Sequence, residues 1–179
     1  MRRVLPLALI VLAVCGLGAA LQPDNRPANA EAPAVLKVRG AGLKSVDLTS
    51  ADLAGMGRRT LTVKEKDGAE AKYEGVTVED ILTKAGMTFG QSLRGARLRD
   101  YLVADASDGY GVVFALPEIS AEFSDRVVIV ADRVDGGPIP PKDGPLRVIV
   151  SDEKKHARWV RNVVSLSVQS SVAPPAPAR

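Results

Sequence analysis

Short runs of β-branched and aromatic residues, bounded by turn residues, dominate the hydrophobic pattern along this chain of 179 residues. Such runs favour strands, because branched and aromatic side chains pack well on a pleated surface. We expect strands over residues 35–38, 60–64, 71–73, 101–104, 111–115, 127–131, 146–150 and 163–168. The Asp67-Gly68 dipeptide between the second and third of these favours a tight hairpin turn with positive φ at both positions.

Helical periodicity is clearest over residues 78–85, where apolar residues recur at i, i+3, i+4 and i+7. Thr77 is a suitable N-cap, and Gly86 permits the left-handed backbone that ends many helices. Shorter helical turns are predicted over 51–54 and 117–119. Because strands outnumber helices and do not alternate regularly with them, the predicted fold class is α+β, with one or two small sheets.

The amino terminus has the pattern of a secretory signal peptide. A pair of arginines precedes an apolar run over residues 4–17, and small residues follow it. We expect residues 1–30 to be this signal, with cleavage after Ala20 or Ala30. The run is shorter than the roughly 20 apolar residues of a membrane span. The mature protein is therefore expected to be periplasmic or secreted and not itself membrane-spanning, with a retained anchor as the alternative.

Two further features near the chain ends bear on its organisation. Cys15 follows a sequence that approximates a lipoprotein box, but Val14 stands where a small residue is usual. An unmodified signal-peptide cysteine is therefore preferred over lipidation. Residues 171–179 are rich in alanine and proline and are expected to form a disordered tail. The folded domain is expected to span residues 31–170.

The formal net charge of +3 belongs largely to the signal segment. Residues 1–30 contain three arginines and one aspartate, so the remainder carries 21 basic and 20 acidic residues. The remainder has no basic block interleaved with aromatic residues, which is the usual pattern of nucleic-acid-binding proteins. We therefore expect no nucleic-acid partner.

Three short motifs follow one another in the second half of the chain: Asp108-Gly109-Tyr110, Gly144-Pro145-Leu146-Arg147 and Arg158-Trp159. They combine a carboxylate, two aromatic rings and two guanidinium groups. A pterin suits such a set, because a carboxylate accepts from its donor edge, a ring covers its face, and guanidinium groups bind an attached phosphate. Each residue also has a plain alternative as a turn, core or ion-paired residue. The candidate ligand-binding residues are Asp108, Tyr110, Arg147, Arg158 and Trp159.

Together with the helix start over residues 75–82, these motifs resemble, in the same order, the molybdopterin-binding domain of sulfite-oxidase-type oxidoreductases. The resemblance covers about residues 35–168. It implies the sulfite-oxidase-like fold, with mostly β strands and a few short helices, and a pterin or molybdopterin as the ligand. In this family the Pro-Leu-Arg arginine and the basic residue before the tryptophan contact the cofactor, so the resemblance assigns those roles to Arg147 and Arg158.

His156 is the single histidine, so no multi-histidine metal site can form. It is a candidate general base or phosphate contact near Arg158, with a surface position in the charged stretch 152–155 as the alternative. The sequence contains no recognisable Ser-His-Asp set and no phosphate-binding glycine loop with its lysine. The candidate set therefore consists of cofactor-binding residues, without a catalytic or metal-ligating residue.

The resemblance has one departure, which concerns the metal. Classical members of the family supply a molybdenum-binding cysteine between an early strand and the Gly-Val-x-Leu helix, and the corresponding residues 61–75 contain no cysteine. The resemblance then implies a small exported protein that binds a pterin or molybdopterin without redox turnover, as a ligand sensor with a membrane signalling partner. The alternatives are a molybdenum-cofactor-dependent oxidoreductase, or a subunit of one with a redox partner, and a ligand-free interaction module.

Overall fold

The computed structural model describes residues 35–171, whose strands form two sheets joined by short helices. The strands are β1 (Leu36–Gly40), β2 (Val46–Leu48), β3 (Arg59–Lys64), β4 (Glu70–Thr77), β5 (Asp100–Ala106), β6 (Gly111–Ala115), β7 (Val128–Val134), β8 (Gly137–Pro138), β9 (Arg147–Val150) and β10 (Val163–Ser170). The helices are α1 (Ser50–Ala54), α2 (Val78–Lys84) and α3 (Leu116–Ile119), and 3₁₀ turns span Gly90–Ser92, Gly95–Arg99 and His156–Arg158. The predicted α+β class is confirmed. The expected signal segment and all but the first residue of the expected tail lie outside the described residues.

The first sheet has the strand order β2-β1-β10-β5-β6. β1 and β10 run parallel, and the other neighbours in this sheet are antiparallel. Its inward side chains are fully buried, among them Leu36, Leu102, Phe114 and Leu166. Burial of large apolar side chains of this kind contributes roughly 2 kcal/mol each, so this face anchors the strands whose ends border the site.

β7 is the central strand of the second sheet. It pairs antiparallel with β4 on one side, and with β8 and β9 on the other. β3 continues the sheet beyond β4. All four residues of β9 are buried, including Arg147 at its first position. The sheet therefore places a guanidinium group at the start of an otherwise apolar, fully covered strand.

The caps predicted for α2 are confirmed. The Thr77 side chain accepts a hydrogen bond from the Asp80 backbone N–H at 3.0 Å, which satisfies one of the free N–H groups of the first turn. Gly86 has a φ of 96° just after the helix, a conformation that glycine adopts without steric cost. The apolar face of α2 is buried, and it packs on β4 and β7.

Other predictions were wrong in detail. In the β3–β4 hairpin only Gly68 has a positive φ, of 87°, and the Glu65 N–H donates to the Ala69 carbonyl across a longer loop. Strands β2 and β8 were missed, since three and two residues are too few to show an alternating pattern. Within residues 35–171, every helix is too short or too polar to cross a bilayer.

Candidate functional site

A cleft of about 290 Å³ lies where β3 and β5 end and β9 begins, beside residues 156–161. Five of the six candidate residues from the sequence line it: Asp108, Tyr110, Arg147, His156 and Trp159. The rest of its lining comes from Lys66, Ala106, Ala157 and Arg161. The fold thus brings together three motifs that are separate in the sequence.

Backbone pairing explains why two of these motifs meet. Arg147 forms an isolated antiparallel bridge with Arg161, and the Val148 N–H donates to the Val160 carbonyl at 2.8 Å. The chain that leads into this pairing carries the His156–Arg158 turn and Trp159. The tryptophan is therefore held beside the first residue of β9.

Arg147 is a buried cation, with 6% of its side chain exposed. Its Nη1 donates to the Tyr73 hydroxyl at 2.6 Å and lies 3.4 Å from Glu65 Oε1. Tyr73 in turn donates its hydroxyl hydrogen to Glu65 Oε1. Because a buried charge requires paired and hydrogen-bonded neighbours, this Glu65–Tyr73–Arg147 triad fixes the guanidinium in place. Burial, together with the hydrogen bond to Glu65, raises the pKa of Tyr73 well above its usual value.

Aromatic rings form one wall of the cleft. The rings of His156 and Trp159 stack with centroids 3.7 Å apart and planes 6° from parallel. Tyr73 meets Trp159 edge-on at 6.1 Å, and the Arg147 guanidinium carbon lies 5.5 Å from the Trp159 ring centroid. The side chain of His156 is only 9% exposed, so the alternative of a surface histidine is wrong. Trp159 combines core packing with a position on the cleft.

Three buried nitrogen atoms on residues of this cleft lack a hydrogen-bond partner within residues 35–171: Arg147 Nε, His156 Nδ1 and Trp159 Nε1. The arginine and tryptophan nitrogens are donors only. His156 Nδ1 lies 3.8 Å from Glu65 Oε2, which is within ion-pair range but too long for a hydrogen bond. Buried donors are nearly always satisfied in native proteins. The cleft is therefore suited to a ligand that supplies hydrogen-bond acceptors.

Asp108 and Tyr110 come from a turn at the end of β5. Asp108 Oδ1 accepts from the Tyr110 backbone N–H at 2.9 Å, and Gly109 has a φ of 87°. The Tyr110 hydroxyl donates to the Ala157 carbonyl at 2.5 Å, while half of the residue remains exposed. The turn is thus tied to the 156–161 segment across the cleft, and the Tyr110 ring is not a core residue.

Arg158 was predicted to bind the ligand, and this prediction is wrong, because the structure does not place the residue on the cleft. Its guanidinium group hydrogen-bonds to Glu118 and Glu153 and lies 4.7 Å from the Phe114 ring centroid. Burial lowers the pKa of Arg158, but the hydrogen bonds to both carboxylates outweigh this and raise it. Neighbours in a 3₁₀ turn point in different directions, so Trp159 reaches the cleft and Arg158 joins an ion-pair cluster.

The sequence analysis missed four residues of this site: Glu65, Lys66, Tyr73 and Arg161. A signal was present for Glu65, and Tyr73 lies in the strand predicted over residues 71–73. Alternation along β3 puts Glu65 on the same face as buried Val63, and an inward carboxylate requires a cationic or donor partner. Nothing in the local pattern distinguishes Lys66 or Arg161 from other solvated charges.

Comparison with known proteins identifies the family and supports the fold. The model of the family described as "Oxidoreductase molybdopterin binding domain" matches residues 29–175. Among solved structures, the sulfane dehydrogenase SoxCD from Paracoccus pantotrophus is similar, with a TM-score of 0.58 and 17% sequence identity. The match covers 76% of this chain and 38% of that one, and at this identity it shows the fold alone. No curated protein sequence matches the chain. The resemblance inferred from the motifs is confirmed, and the chain belongs to the family of oxidoreductase molybdopterin-binding domains.

Proposed function

We propose that the cleft binds a pterin or molybdopterin through an anionic group and the pterin edge, and that this chain does so without redox turnover. One observation carries the proposal. Buried N–H donors of Arg147 and Trp159 lack acceptors within residues 35–171, and both side chains line the same cleft. A ligand whose acceptor atoms reach these donors, once the covering side chains shift, would satisfy them and remove the free-energy penalty of burying unpaired donors.

The charges around the cleft support a ligand with an anionic group. Lys66, Arg147 and Arg161 line it together with the carboxylate of Asp108. Glu65 already pairs with Arg147, and Asp143 Oδ1 lies 3.0 Å from Arg161 Nε. A phosphate, as on molybdopterin, suits the cationic side. Asp108 uses Oδ1 for its own turn, which leaves Oδ2 to accept from the donor edge of a pterin. The residues present therefore fit the organic part of the cofactor.

Binding of molybdenum by the protein would require ligands beyond these cofactor-binding residues. The only cysteine of the sequence is Cys15, which precedes the family match at residues 29–175. Glu65 and Tyr73 lie within residues 61–75, where the resemblance would put the family's cysteine, and both already contact Arg147. Within residues 35–171, no three histidine, cysteine, aspartate or glutamate side chains gather as a metal site would require. Molybdenum, when bound, supplies two-electron redox chemistry and favours soft sulfur ligands. We propose that this chain offers it none.

Fluorescence of the single tryptophan tests the binding proposal. Reduced pterins with and without a phosphate group are titrated into the protein while Trp159 emission is recorded, because a ligand in this cleft changes the surroundings of that ring. Arg147→Lys keeps the charge but loses the forked geometry and Nε, and it should weaken binding of the phosphorylated pterin roughly tenfold. Unchanged emission with every pterin at high micromolar concentration would refute the proposal.

Arg99→Ala is the matched control for that titration. Arg99 is exposed and directly precedes β5, whose opposite end carries Ala106 of the cleft. The length of this strand separates the two ends by about 20 Å. The control removes a positive charge without touching the cleft, so binding by Arg99→Ala should equal that of the wild type.

A molybdenum-dependent oxidoreductase, or a subunit of one, is the second candidate function. The family description favours it, and a partner protein or the dithiolene sulfurs of molybdopterin would then hold the metal. Metal analysis of protein isolated from its native cell separates the two functions. Molybdenum at one atom per chain establishes the second candidate, whereas a bound pterin without molybdenum supports the first.

We also propose that the protein is exported and acts with a membrane signalling or redox protein. Two arginines, an apolar run over residues 4–17 and small residues beyond it support export. Intact-mass measurement of the protein from its native cell tests this, with cleavage after Ala20 or Ala30 as the expected result. A mass that retains residues 1–30 would contradict it.

A further inference from the structure

A second and more open cavity, of about 710 Å³, adjoins the ligand cleft. It shares Lys66, His156 and Ala157 with the cleft. Four exposed lysines line it, two near the β3–β4 hairpin and two in the 153–157 segment: Lys64, Lys66, Lys154 and Lys155. We call this cavity the lysine groove.

The two carboxylates of the lysine groove are already engaged by other cations. Glu65 accepts from Tyr73 and pairs with Arg147. Glu153 accepts from Arg158 and lies 3.9 Å from an Arg126 guanidinium nitrogen. These internal pairs neutralise both acids, so they do little to offset the positive charge of the groove.

The four lysines themselves make no ion pair within 4 Å of their ammonium groups anywhere in residues 35–171. Like charges that line one groove repel one another, so gathering them does not stabilise the fold. Lysines are compact point charges on flexible stems, unlike the buried, forked Arg147 of the neighbouring cleft. Mobile, exposed cations along an open groove suit a series of carboxylates on an extended chain better than a single enclosed phosphate.

We propose that the lysine groove docks an acidic segment of a partner protein, in which several aspartate or glutamate side chains pair with these lysines. The segment then lies at the mouth of the ligand cleft. His156 borders the groove and stacks on Trp159 in the cleft, so the docked segment contacts a residue that also lines the ligand cleft. Docking does not require the pterin, and the proposal therefore stands apart from the proposed function.

Fluorescence anisotropy with a labelled peptide of eight glutamates measures this docking, with an eight-glutamine peptide as the uncharged control. The charge-reversed variant combines Lys154→Glu with Lys155→Glu. The matched control combines Lys37→Glu with Lys44→Glu, which reverses two exposed lysines outside the groove and changes the net charge equally. Lys154→Gln with Lys155→Gln removes the groove charges without adding acids.

We expect the glutamate peptide to bind the wild type and to weaken as salt is raised. The groove variant should lose roughly tenfold in affinity, the control variant less than about twofold, and the glutamine variant an intermediate amount. Equal losses in groove and control variants would overturn the proposal, because they would reflect net charge alone. Displacement of the peptide by pyrophosphate at an ionic strength at which sodium chloride leaves it bound would overturn the proposal in favour of a small polyanion.

Pterin titration of the same variants separates this inference from the proposed function. Both lysine variants should keep the wild-type response of Trp159 to pterin, since neither Lys154 nor Lys155 lines the cleft. In the wild type, an absent pterin response with intact peptide binding would refute the proposed function alone. In the wild type, an intact pterin response without peptide binding would refute the docking alone.

Discussion

Replacement of Tyr73 by phenylalanine tests the triad that positions Arg147. The change removes one hydroxyl group that accepts from Arg147 Nη1 at 2.6 Å and donates to Glu65. The ring stays in place, 3% exposed, with its edge toward Trp159. Only the polar bridge between the buried cation and its carboxylate is therefore lost.

The size of the effect follows from the partners of the hydroxyl. A hydrogen bond to a charged group contributes about 1.5–3 kcal/mol, and here one hydroxyl makes two. Glu65 Oε1 already lies 3.4 Å from Arg147 Nη1, so direct pairing recovers part of the loss. We expect the free energy of unfolding to fall by about 2–3 kcal/mol and Tm by about 6–10 °C in a domain of this size.

Urea and thermal unfolding, followed by circular dichroism and Trp159 fluorescence, measure this change. Tyr101→Phe is the matched control, because its hydroxyl makes a single exposed hydrogen bond, to Gln169 Oε1 at 2.9 Å. The control should change the free energy of unfolding by less than about 0.5 kcal/mol. If Tyr73→Phe were as mild as Tyr101→Phe, the triad would not be what holds the guanidinium.

Three further predictions concern pH and packing. Burial and the hydrogen bond to Glu65 raise the pKa of Tyr73, so its stabilisation is fully present below about pH 10 and is lost as pH rises through the folded-state pKa. The stability gap between wild type and Tyr73→Phe in urea should therefore be smaller at about pH 11 than at about pH 8, and a constant gap would contradict this. The hydrogen bond from Arg126 lowers the pKa of Asp152, so its stabilisation is present above about pH 4 and lost as pH falls through the folded-state pKa. Asp152→Asn should cost under about 1 kcal/mol at neutral pH and less at about pH 3, as measured by urea unfolding. Gly75→Ala places a Cβ 2.1 Å from a backbone oxygen of β7, and it should destabilise by more than about 2 kcal/mol, whereas exposed Gly57→Ala should be nearly neutral in the same assay.

The elements with strong local signals were predictable from the sequence. α2 combines a threonine cap, an apolar face and a terminal Gly86, and each feature acts within a few residues of the helix. Long β-branched runs likewise marked most strands. The short strands β2 and β8 exist because they pair with longer neighbours, which local patterns do not encode.

The residue types of the site were predictable from the sequence, but their arrangement in space was less so. Alternation along β3 is consistent with an inward Glu65, but it gives no reason to pair this residue with Arg147, 82 residues away. Arg158 and Trp159 are adjacent in sequence, yet the turn before β10 sends one to an ion-pair cluster and the other to the cleft. Such directions depend on tertiary packing around each side chain.

Mass spectrometry of the small molecule that copurifies with the protein from its native cell, with metal analysis of the same sample, tests the central claim most directly. We predict a pterin-derived anion without stoichiometric molybdenum, retained by wild type and Arg99→Ala and recovered in a smaller amount from Arg147→Lys. Wild-type protein that carries no pterin, or one whose pterin is retained equally by Arg147→Lys, would contradict the account.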